Sequence, residues 1–229
     1  FDTVCEGYDC AALRFFNNAA AHLPEVFQFD GDEQLLDVAA GTGIPAMVCA
    51  GQLPRGRVTA VDFSSGMLAQ AEAKAKAAGH ANIVFKQMDM TAMALAEASF
   101  DAANCSFGVF FIEDMVGTLR HIASKVKPGG PVVTTPFIEG SFEPLSARFR
   151  EQVMRYGIEP PPLGWMRLGS EEQNRELYQQ AGLKEIEHFR FDVGYHFQSA
   201  DEWWEVIWNA GYRGLISGLD APTLARFKS

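Results

Sequence analysis

Two kinds of segment alternate along the first 137 residues. Short apolar runs such as Leu35–Val38 have the length and composition of strands that are covered on both faces of a sheet. Longer runs with helical spacing lie between them, and the alanine-rich stretch Gly66–Ala78 is the clearest. The pattern predicts an α/β protein with a mostly parallel sheet and helices on both faces. The predicted strands are 35–38, 57–62, 82–88, 100–106, 131–137 and 183–191, and the predicted helices are 44–52, 66–78, 113–126, 171–181 and 201–208.

A glycine turn follows the first predicted strand. Gly41 and Gly43 allow the backbone to turn tightly and to approach a ligand, and Pro45 suits the first turn of a helix. The second strand ends at Asp62, which lies about 20 residues beyond the glycines, the spacing of a carboxylate that binds a ribose. These features predict a nucleoside site.

Asp37 bears on which nucleoside is bound. It ends the first strand, immediately before the glycine turn. A pyrophosphate on the following helix N-terminus would be destabilised by this carboxylate, whereas a ligand with positive charge beside its ribose would be stabilised. S-adenosylmethionine is such a ligand. The alternative is that Asp37 only accepts hydrogen bonds from amides of the turn.

Four motifs, in order, resemble those of class I S-adenosylmethionine-dependent methyltransferases. They are LLDVAAGTG at 35–43, VTAVDFS at 58–64, FKQMDM at 85–90 and VKPGG at 126–130. The resemblance covers residues 1 to about 137. Beyond them, only the expected arrangement of helices and strands is similar. Within that class, the chain is similar to the small-molecule enzymes of the ubiquinone/menaquinone methyltransferase-like group.

The resemblance implies a Rossmann-like fold with a helical cover over the site, and it implies S-adenosylmethionine as cofactor with S-adenosylhomocysteine as product. The predicted cofactor-binding residues are Asp37, Ala39, Gly41, Thr42, Gly43, Asp62, Phe63, Met67, Asp89, Met90 and Cys105. The predicted acceptor-binding residues are Tyr8, Phe107, Trp165, Trp204 and Trp208.

The resemblance and the composition together predict a single domain over 1–229. Residues 1–29 form a helical lead-in, in which Phe1-Asp2 and Tyr8-Asp9 resemble a segment that folds over the cofactor. Proline-rich and aromatic stretches at 138–170 and 195–217 are expected to cover the acceptor. The family's antiparallel seventh strand has no counterpart up to Ser229, so we expect it to be absent or to lie beyond that residue.

The net charge and the cysteine content limit the kinds of molecule that the protein is expected to bind. The formal net charge of −10 is unfavourable for binding a nucleic-acid backbone or an anionic membrane, and no apolar run is long enough to span a bilayer. Cys5, Cys10, Cys49 and Cys105 lack metal-binding spacing, and no metal site is predicted. We expect a cytoplasmic protein, with a homodimer as a possible assembly.

Three functions are consistent with the sequence. The first is methyl transfer to a small, largely apolar or aromatic acceptor by in-line displacement. The others are a nicotinamide-dependent dehydrogenase, against which Asp37 counts, and a non-catalytic nucleoside-binding module. The catalytic residues are not assigned: the candidates for a general base are Tyr8, His188, Tyr195 and His196, and none has an evident partner in the sequence.

Overall fold

The computed structural model describes residues 7–228, so Phe1-Asp2 and Cys5 lie outside the described residues. Its sheet consists of five strands whose bounds agree with the first five predicted strands to within two residues. They are β1 Gln34–Val38, β2 Arg57–Asp62, β3 Ile83–Gln87, β4 Ala102–Ser106 and β5 Val132–Thr135.

All neighbouring strands are parallel, and their order across the sheet is β3-β2-β1-β4-β5. In the register, Asp37 of β1 lies between Ala60 of β2 and Asn104 of β4. The chain reverses its direction of travel across the sheet at β1, so a crevice opens at the carboxyl ends of β1 and β4. Ligands bind at this position in open α/β sheets.

Helices connect the strands and cover both faces of the sheet in the described part of the chain. They are α1 Phe15–Ala20, α2 Leu23–Phe27, α3 Ile44–Ala50, α4 Ser65–Ala77, α5 Met115–Lys125, α6 Leu145–Arg155, α7 Glu171–Gln180, α8 Ala200–Asn209, α9 Arg213–Ile216 and α10 Ala221–Lys228. Local sequence sets their starts. The Ser64 hydroxyl accepts a hydrogen bond from the Met67 amide at 3.1 Å and caps α4, and Pro45 lies in the first turn of α3.

Alternate residues of the central strands enter two different cores. Leu36 and Val38 face a core that includes Leu119 and Ile122 of α5. Leu35 faces the opposite core, which α2 and α3 cover. Helices therefore cover both faces of the sheet, as the apolar runs predicted.

The C-terminal helices form a separate hydrophobic cluster. Its buried members are Phe149 and Val153 of α6, Ile207 of α8, Tyr212, Ile216 of α9 and Phe227 of α10. This cluster connects to the lead-in through Val206, which packs with residues of the segment 12–15. Helix α8 thus packs against both the lead-in and the C-terminal helices.

The prediction of a sixth strand at 183–191 is wrong, because the described sheet ends at β5. Glu185 has φ +54°, a left-handed conformation that interrupts an extended strand. The chain beyond it packs against the lead-in instead. The Phe191 ring stacks on His22 at 3.9 Å between centroids, and the Val193 carbonyl accepts a hydrogen bond from Asn18.

Tyr178 of α7 fastens that helix to β5 at the end of the sheet. Its hydroxyl donates to the Val132 carbonyl at 3.1 Å and lies 3.0 Å from Thr134 Oγ1. Burial raises the pKa of Tyr178 to about 12, so the hydroxyl keeps its proton at neutral pH.

We expect Tyr178→Phe to lower the free energy of unfolding by about 1–2 kcal/mol, because it leaves polar atoms of β5 without this partner. Urea unfolding of the variant and of the original chain measures the difference. An unchanged unfolding midpoint would show that the hydroxyl contributes nothing to the anchoring of α7.

Candidate functional site

A cavity of about 350 Å³ opens at the carboxyl ends of β1 to β4. Backbone turns after these strands and aromatic residues of the lead-in surround it. Its lining residues are Tyr8, Phe16, Ala20, Ala39, Ala40, Gly41, Thr42, Ile44, Pro45, Asp62, Phe63, Met67, Met88, Asp89, Met90, Ser106, Phe107, Gly108, Phe111 and Ile112. We call it the cofactor cavity.

The Asp62 carboxylate joins the turn after β1 to the start of α4. Its Oδ2 accepts a hydrogen bond from the Gly41 amide at 2.8 Å, and its Oδ1 accepts one from the Ser64 amide at 2.8 Å. Each carboxylate oxygen has a further lone pair, so the group remains able to accept hydrogen bonds from a ligand. The backbone amides hold this acceptor in place before any ligand arrives.

The end of β3 supplies the second carboxylate of the cavity. Asp89 Oδ1 accepts hydrogen bonds from the amide and the hydroxyl of Thr91, and these bonds lower the Asp89 pKa. Phe63, which follows β2, lines the same cavity and is 74% exposed. An exposed aromatic ring beside a polar acceptor suits a flat heterocycle that carries an amino group.

Two wall residues adopt a backbone conformation that is uncommon outside glycine. Ala39, after β1, has φ +55°, and Phe107, after β4, has φ +56°. Such conformations cost on the order of 1–3 kcal/mol and often mark ligand sites. Gly108 is packed beside Ala39: a Cβ on Gly108 would lie 2.7 Å from the Ala39 Cβ. Close packing at this crevice therefore shapes the floor of the cavity.

Asp37 lies beneath the cavity and is 1% exposed. Its Oδ1 accepts a hydrogen bond from the Asn104 side-chain amide at 2.6 Å, whereas its buried Oδ2 has no partner among the described residues. Burial raises the pKa of Asp37 to about 7; the Asn104 hydrogen bond opposes this shift and the Asp62 charge adds to it. A nearby cation would stabilise the ionised form.

The lead-in segment is fastened across the cavity by Asp9. Asp9 Oδ1 accepts a hydrogen bond from the Thr42 hydroxyl at 2.6 Å, and Oδ2 lies 2.6 Å from Lys74 Nζ of α4. These contacts hold the neighbouring Tyr8 in the cavity wall, where its ring stacks on Phe16 at 5.0 Å between centroids.

A second cavity of about 380 Å³ adjoins the first, and we call it the acceptor cavity. Tyr8, Phe16, Phe107 and Phe111 line both. Ten of its lining residues are aromatic, and the covering segments contribute much of the rest. Its lining residues are Tyr8, Phe15, Phe16, Phe107, Phe110, Phe111, Phe137, Phe142, Leu163, Gly164, Trp165, Val206, Asn209, Ala210, Gly211, Tyr212, Arg213, Gly214 and Ser217.

Comparisons with known proteins agree with this geometry. A family model described as a methyltransferase domain matches residues 35–130. A ubiquinone/menaquinone biosynthesis C-methyltransferase from Desulfotalea psychrophila is 30% identical over an alignment that covers 72% of this chain and 71% of that protein. The chain belongs to the class I S-adenosylmethionine-dependent methyltransferases.

Two further matches differ in how much of each chain they cover. A ubiquinone/menaquinone biosynthesis C-methyltransferase from Bdellovibrio bacteriovorus is 39% identical over 46% of this chain, and the alignment spans only 44% of that relative. The crystal structure of an S-adenosylmethionine-dependent methyltransferase from Aquifex aeolicus has a TM-score of 0.63 and 17% identity, with 80% of this chain and 88% of that chain covered. That likeness shows the shared Rossmann-like fold. The dehydrogenase and the non-catalytic alternatives find no support in these matches.

The cofactor of this methyltransferase family fits the cavity that the structure presents. S-adenosylmethionine carries a sulfonium and an ammonium, and the charged side chains that line the cofactor cavity are the carboxylates Asp62 and Asp89. The unpartnered Asp37 Oδ2 adds a third acceptor beneath them. Within residues 7–228, no group of three or more His, Cys, Asp or Glu is arranged to hold a metal ion.

Most of the predicted cofactor residues of the methyltransferase lie in the wall of the cofactor cavity. They are Ala39, Gly41, Thr42, Asp62, Phe63, Met67, Asp89 and Met90.

The other three predicted cofactor residues do not line that cavity. Asp37 is buried beneath it, and a Cβ on Gly43 would meet the Ala71 Cβ of α4 at 2.8 Å, so this glycine serves helix packing. Cys105 faces the hydrophobic core, where burial raises its pKa to about 12. The pleat instead directs the next residue of β4, Ser106, into the cavity wall.

The predicted acceptor residues divide in the same way. Tyr8, Phe107 and Trp165 line the acceptor cavity. Trp204 and Trp208 line neither cavity, because they stack on each other at 6.0 Å between centroids within the C-terminal cluster. The tryptophans Trp204 and Trp208 of α8 therefore pack in the hydrophobic cluster and do not line a cavity.

Several wall residues were absent from the predicted site. Ser106, Phe16, Phe111 and Phe142 are examples. Ser106 had a usable signal, since it ends β4 at the ligand-binding edge of the sheet. Its Oγ also donates to Asn104 Oδ1 at 3.1 Å, which links the cavity wall to the residue that holds Asp37.

The candidates for a general base receive little support from their surroundings. Burial raises the pKa of Tyr8, and the charges of Asp62 and Asp9 add to the shift, so its hydroxyl stays protonated. The Tyr195 hydroxyl donates to the Ala12 carbonyl. His188 and His196 line neither cavity.

His121 of α5 holds the segment that follows β3. Its Nε2 accepts a hydrogen bond from the Met93 amide at 2.9 Å, so this nitrogen carries no proton. Burial lowers the pKa of His121, the nearby Lys125 charge adds to the shift, and Glu97 opposes it. The neutral ring thus stabilises the segment that carries Asp89 and Met90.

We expect the two glycines of the turn to respond differently to substitution. Gly43→Ala should destabilise the fold, because its Cβ would overlap with Ala71 and its φ is +82°. Gly41 also has a left-handed φ, of +53°, but a Cβ there would meet nothing within 4 Å, so Gly41→Ala should destabilise the fold less than Gly43→Ala. Because Gly41 lines the cofactor cavity, Gly41→Ala should weaken cofactor binding more. Thermal unfolding and calorimetric titration separate the two effects. Equal loss of cofactor affinity in two equally stable variants would refute this division of roles.

We expect acidification to destabilise the chain partly through His121. The folded chain binds a proton at His121 less readily than the unfolded chain, so this contribution is present above pH about 6.5 and is lost as the pH falls. Urea unfolding at pH about 7.5 and about 5.5 measures the loss. His121→Gln, which keeps an acceptor at every pH, should show a smaller loss, whereas the control His80→Gln should behave like the original chain. An identical loss in both variants would exclude this role.

Proposed function

We propose that this methyltransferase transfers a methyl group from S-adenosylmethionine to a small, largely apolar or aromatic acceptor by in-line displacement. The observation that carries the proposal is the pair of adjoining cavities, which share four aromatic residues. One cavity is lined by carboxylates and suits a cationic nucleoside, and the other is lined mainly by aromatic rings.

The proposed cofactor contacts follow from the side chains in the wall. Asp62 would accept hydrogen bonds from the ribose hydroxyls, and Asp89 would accept from the adenine amino group. Phe63 and Met67 would flank the adenine ring, and Asp37 would stabilise the positive charge of the methionyl part from below. Bound S-adenosylmethionine supplies an electrophilic methyl group on sulfur.

The protein contributes to the chemistry mainly by positioning the acceptor against the methyl group and by excluding water. Tyr8, Phe16, Phe107 and Phe111 would bring the acceptor against the methyl group and would exclude water from it. The lead-in segment, fastened through Asp9 to Thr42 and Lys74, would close one side of the reaction space. Aromatic faces beside a sulfonium would add cation–π attraction of about 0.5–2 kcal/mol.

Flat, ring-containing acceptors suit the second cavity. The two relatives reported above are named as methyltransferases of ubiquinone and menaquinone biosynthesis, so a quinol-type ring is a reasonable class of acceptor. Rings of Phe137, Phe142 and Trp165 provide faces and edges on which such a ring would stack.

The remaining organisation of the chain is part of the same proposal. A single domain would bind both substrates, with 138–170 and 195–217 as the cover over the acceptor. Among the described residues, no helix is both long and apolar enough to cross a bilayer. The homodimer, the lack of a nucleic-acid partner and the cytoplasmic location stay predictions of the sequence.

Incubation with methyl-labelled S-adenosylmethionine and a panel of quinols, phenols and amines tests the function. We expect one class to gain a labelled methyl group, detected by mass spectrometry. Asp62→Ala should weaken cofactor binding by about 1.5–3 kcal/mol for each lost charged hydrogen bond. Asp62→Asn should weaken it as well, because the new NH2 group would face the Gly41 or the Ser64 amide, which is also a donor. Unchanged affinity in Asp62→Ala, or tighter binding of NAD than of S-adenosylmethionine, would contradict the proposal.

A further inference from the structure

Four polar side chains follow one another across the sheet beneath the cofactor cavity. Asp37 of β1 is the register partner of Asn104 in β4, and Ser106 of β4 is the register partner of Thr135 in β5. Asn104 and Ser106 share a face of the sheet because they are two residues apart in one strand. Leu35, on the same face as Asp37, belongs to an apolar core, so these four residues form a polar row within an apolar layer. We call them the polar row.

Hydrogen bonds connect the members of the polar row. The Asn104 side-chain N–H group donates to Asp37 Oδ1 at 2.6 Å, and Asn104 Oδ1 accepts from the Ser106 hydroxyl at 3.1 Å. Ser106 Oγ also lies 3.2 Å from Thr135 Oγ1. Both ends of the fully buried Asn104 amide are therefore occupied, and this fixes its N–H group toward the carboxylate.

The residues around Asp37 oppose a negative charge on it. Asp62, at the end of β2, adds a like charge. The thiols of Cys49 in α3 and Cys105 in β4 also interact with Asp37, but burial raises the pKa of each, so both stay neutral. Among the described residues, no cation contributes to the ionisation of Asp37.

Asn104 is the main group that favours the ionised carboxylate. Its hydrogen bond lowers the pKa of Asp37 against the effect of burial, and the backbone amide of Ala46 contributes less. Asn104 does not line the cofactor cavity, so it can influence a ligand there only through its neighbours. The other carboxylate oxygen, Asp37 Oδ2, has no partner among the described residues.

We propose that Asn104 is a positioning residue for cofactor binding, which keeps Asp37 ionised and turned so that its Oδ2 is left for the positive charge of S-adenosylmethionine. Ser106 acts one step further back, because its hydroxyl fixes the direction of the Asn104 amide. This inference rests on the proposed function, in which Asp37 stabilises the methionyl part. It adds two residues that act on the cofactor through a third.

The pH dependence of cofactor affinity in Asn104→Val tests the proposal. Valine suits a buried strand but cannot donate to Asp37. A cation binds the ionised carboxylate, so affinity rises with pH until Asp37 has lost its proton, and removal of the donor moves this rise to higher pH. As loss of one charged hydrogen bond implies, Asn104→Val should bind S-adenosylmethionine about tenfold more weakly at pH about 6 and less than about twofold more weakly at pH about 8.5.

Calorimetric titration of the original chain and the variant at each pH gives the ratio of their dissociation constants. The amino group of S-adenosylmethionine also titrates in this range, but it is common to both proteins and is removed by taking the ratio. Thr118→Val is the matched control, because it removes a buried hydroxyl of α5 that lines neither cavity. Its ratio should stay near one at every pH.

Two further variants identify the path of the effect. In an Asp37→Asn background, which carries no charge to stabilise, Asn104→Val should change the affinity less than about twofold at each pH. Ser106→Ala should show the same trend with pH as Asn104→Val, with a smaller amplitude, whereas loss of a direct cofactor contact by Ser106 would weaken binding equally at every pH. Thermal unfolding shows which variants are folded, and Ser106→Ala decides alone if Asn104→Val is not.

A ratio for Asn104→Val that does not change with pH would overturn the proposal, because Asn104 would then only support the fold. An equal effect of Asn104→Val with and without Asp37→Asn would also overturn it. If the original chain binds no S-adenosylmethionine at any pH, the proposed function fails. If it binds the cofactor but the ratios are independent of pH, only this inference fails.

Discussion

The carboxylate of Asp62 is the contact on which the site depends most. It bonds at the same time to the amide after β1 and to the amide before α4, each at 2.8 Å. The glycine turn and the end of β2 are therefore held as one unit, although they come from different parts of the chain. Because these backbone donors fix the carboxylate in advance, a ligand that binds to it loses little free energy in ordering the protein.

The reversal of strand order at β1 determines what surrounds that carboxylate. It leaves a crevice between β1 and β4, into which the turns after the strands project. Ala39 and Phe107 occupy left-handed conformations at its two sides, and Phe107 also borders the acceptor cavity. The same backbone feature thus shapes one cavity and separates it from the next.

The ends of the described chain complete the site. Asp9 fastens the lead-in to Thr42 and Lys74, and the lead-in rings pack against Phe137 and Phe142 from the region after β5. The acceptor cavity is therefore built largely from parts of the chain outside the sheet. Differences in 138–170 and 195–217, which contribute no lining residue to the cofactor cavity, would alter the acceptor without disturbing that cavity, as suits a fold that serves many reactions.

The sequence by itself determined the features that rest on local rules: β1 to β5, the glycine turn and the place of Asp62 at a strand end. Their physical causes act over a few residues, through side-chain periodicity, backbone freedom and hydrogen bonds between near neighbours.

Tertiary structure alone decided which aromatic residues face a ligand and which face the core. Trp165 and Trp204 look alike in the sequence, but only Trp165 lines a cavity, because Trp204 stacks on Trp208. Gly43 is a packing residue only because α4 brings Ala71 against it, and 183–191 fails to form a strand because Glu185 turns and the chain binds the lead-in. Such contacts join residues far apart in the chain, and they depend on shapes that no local pattern contains.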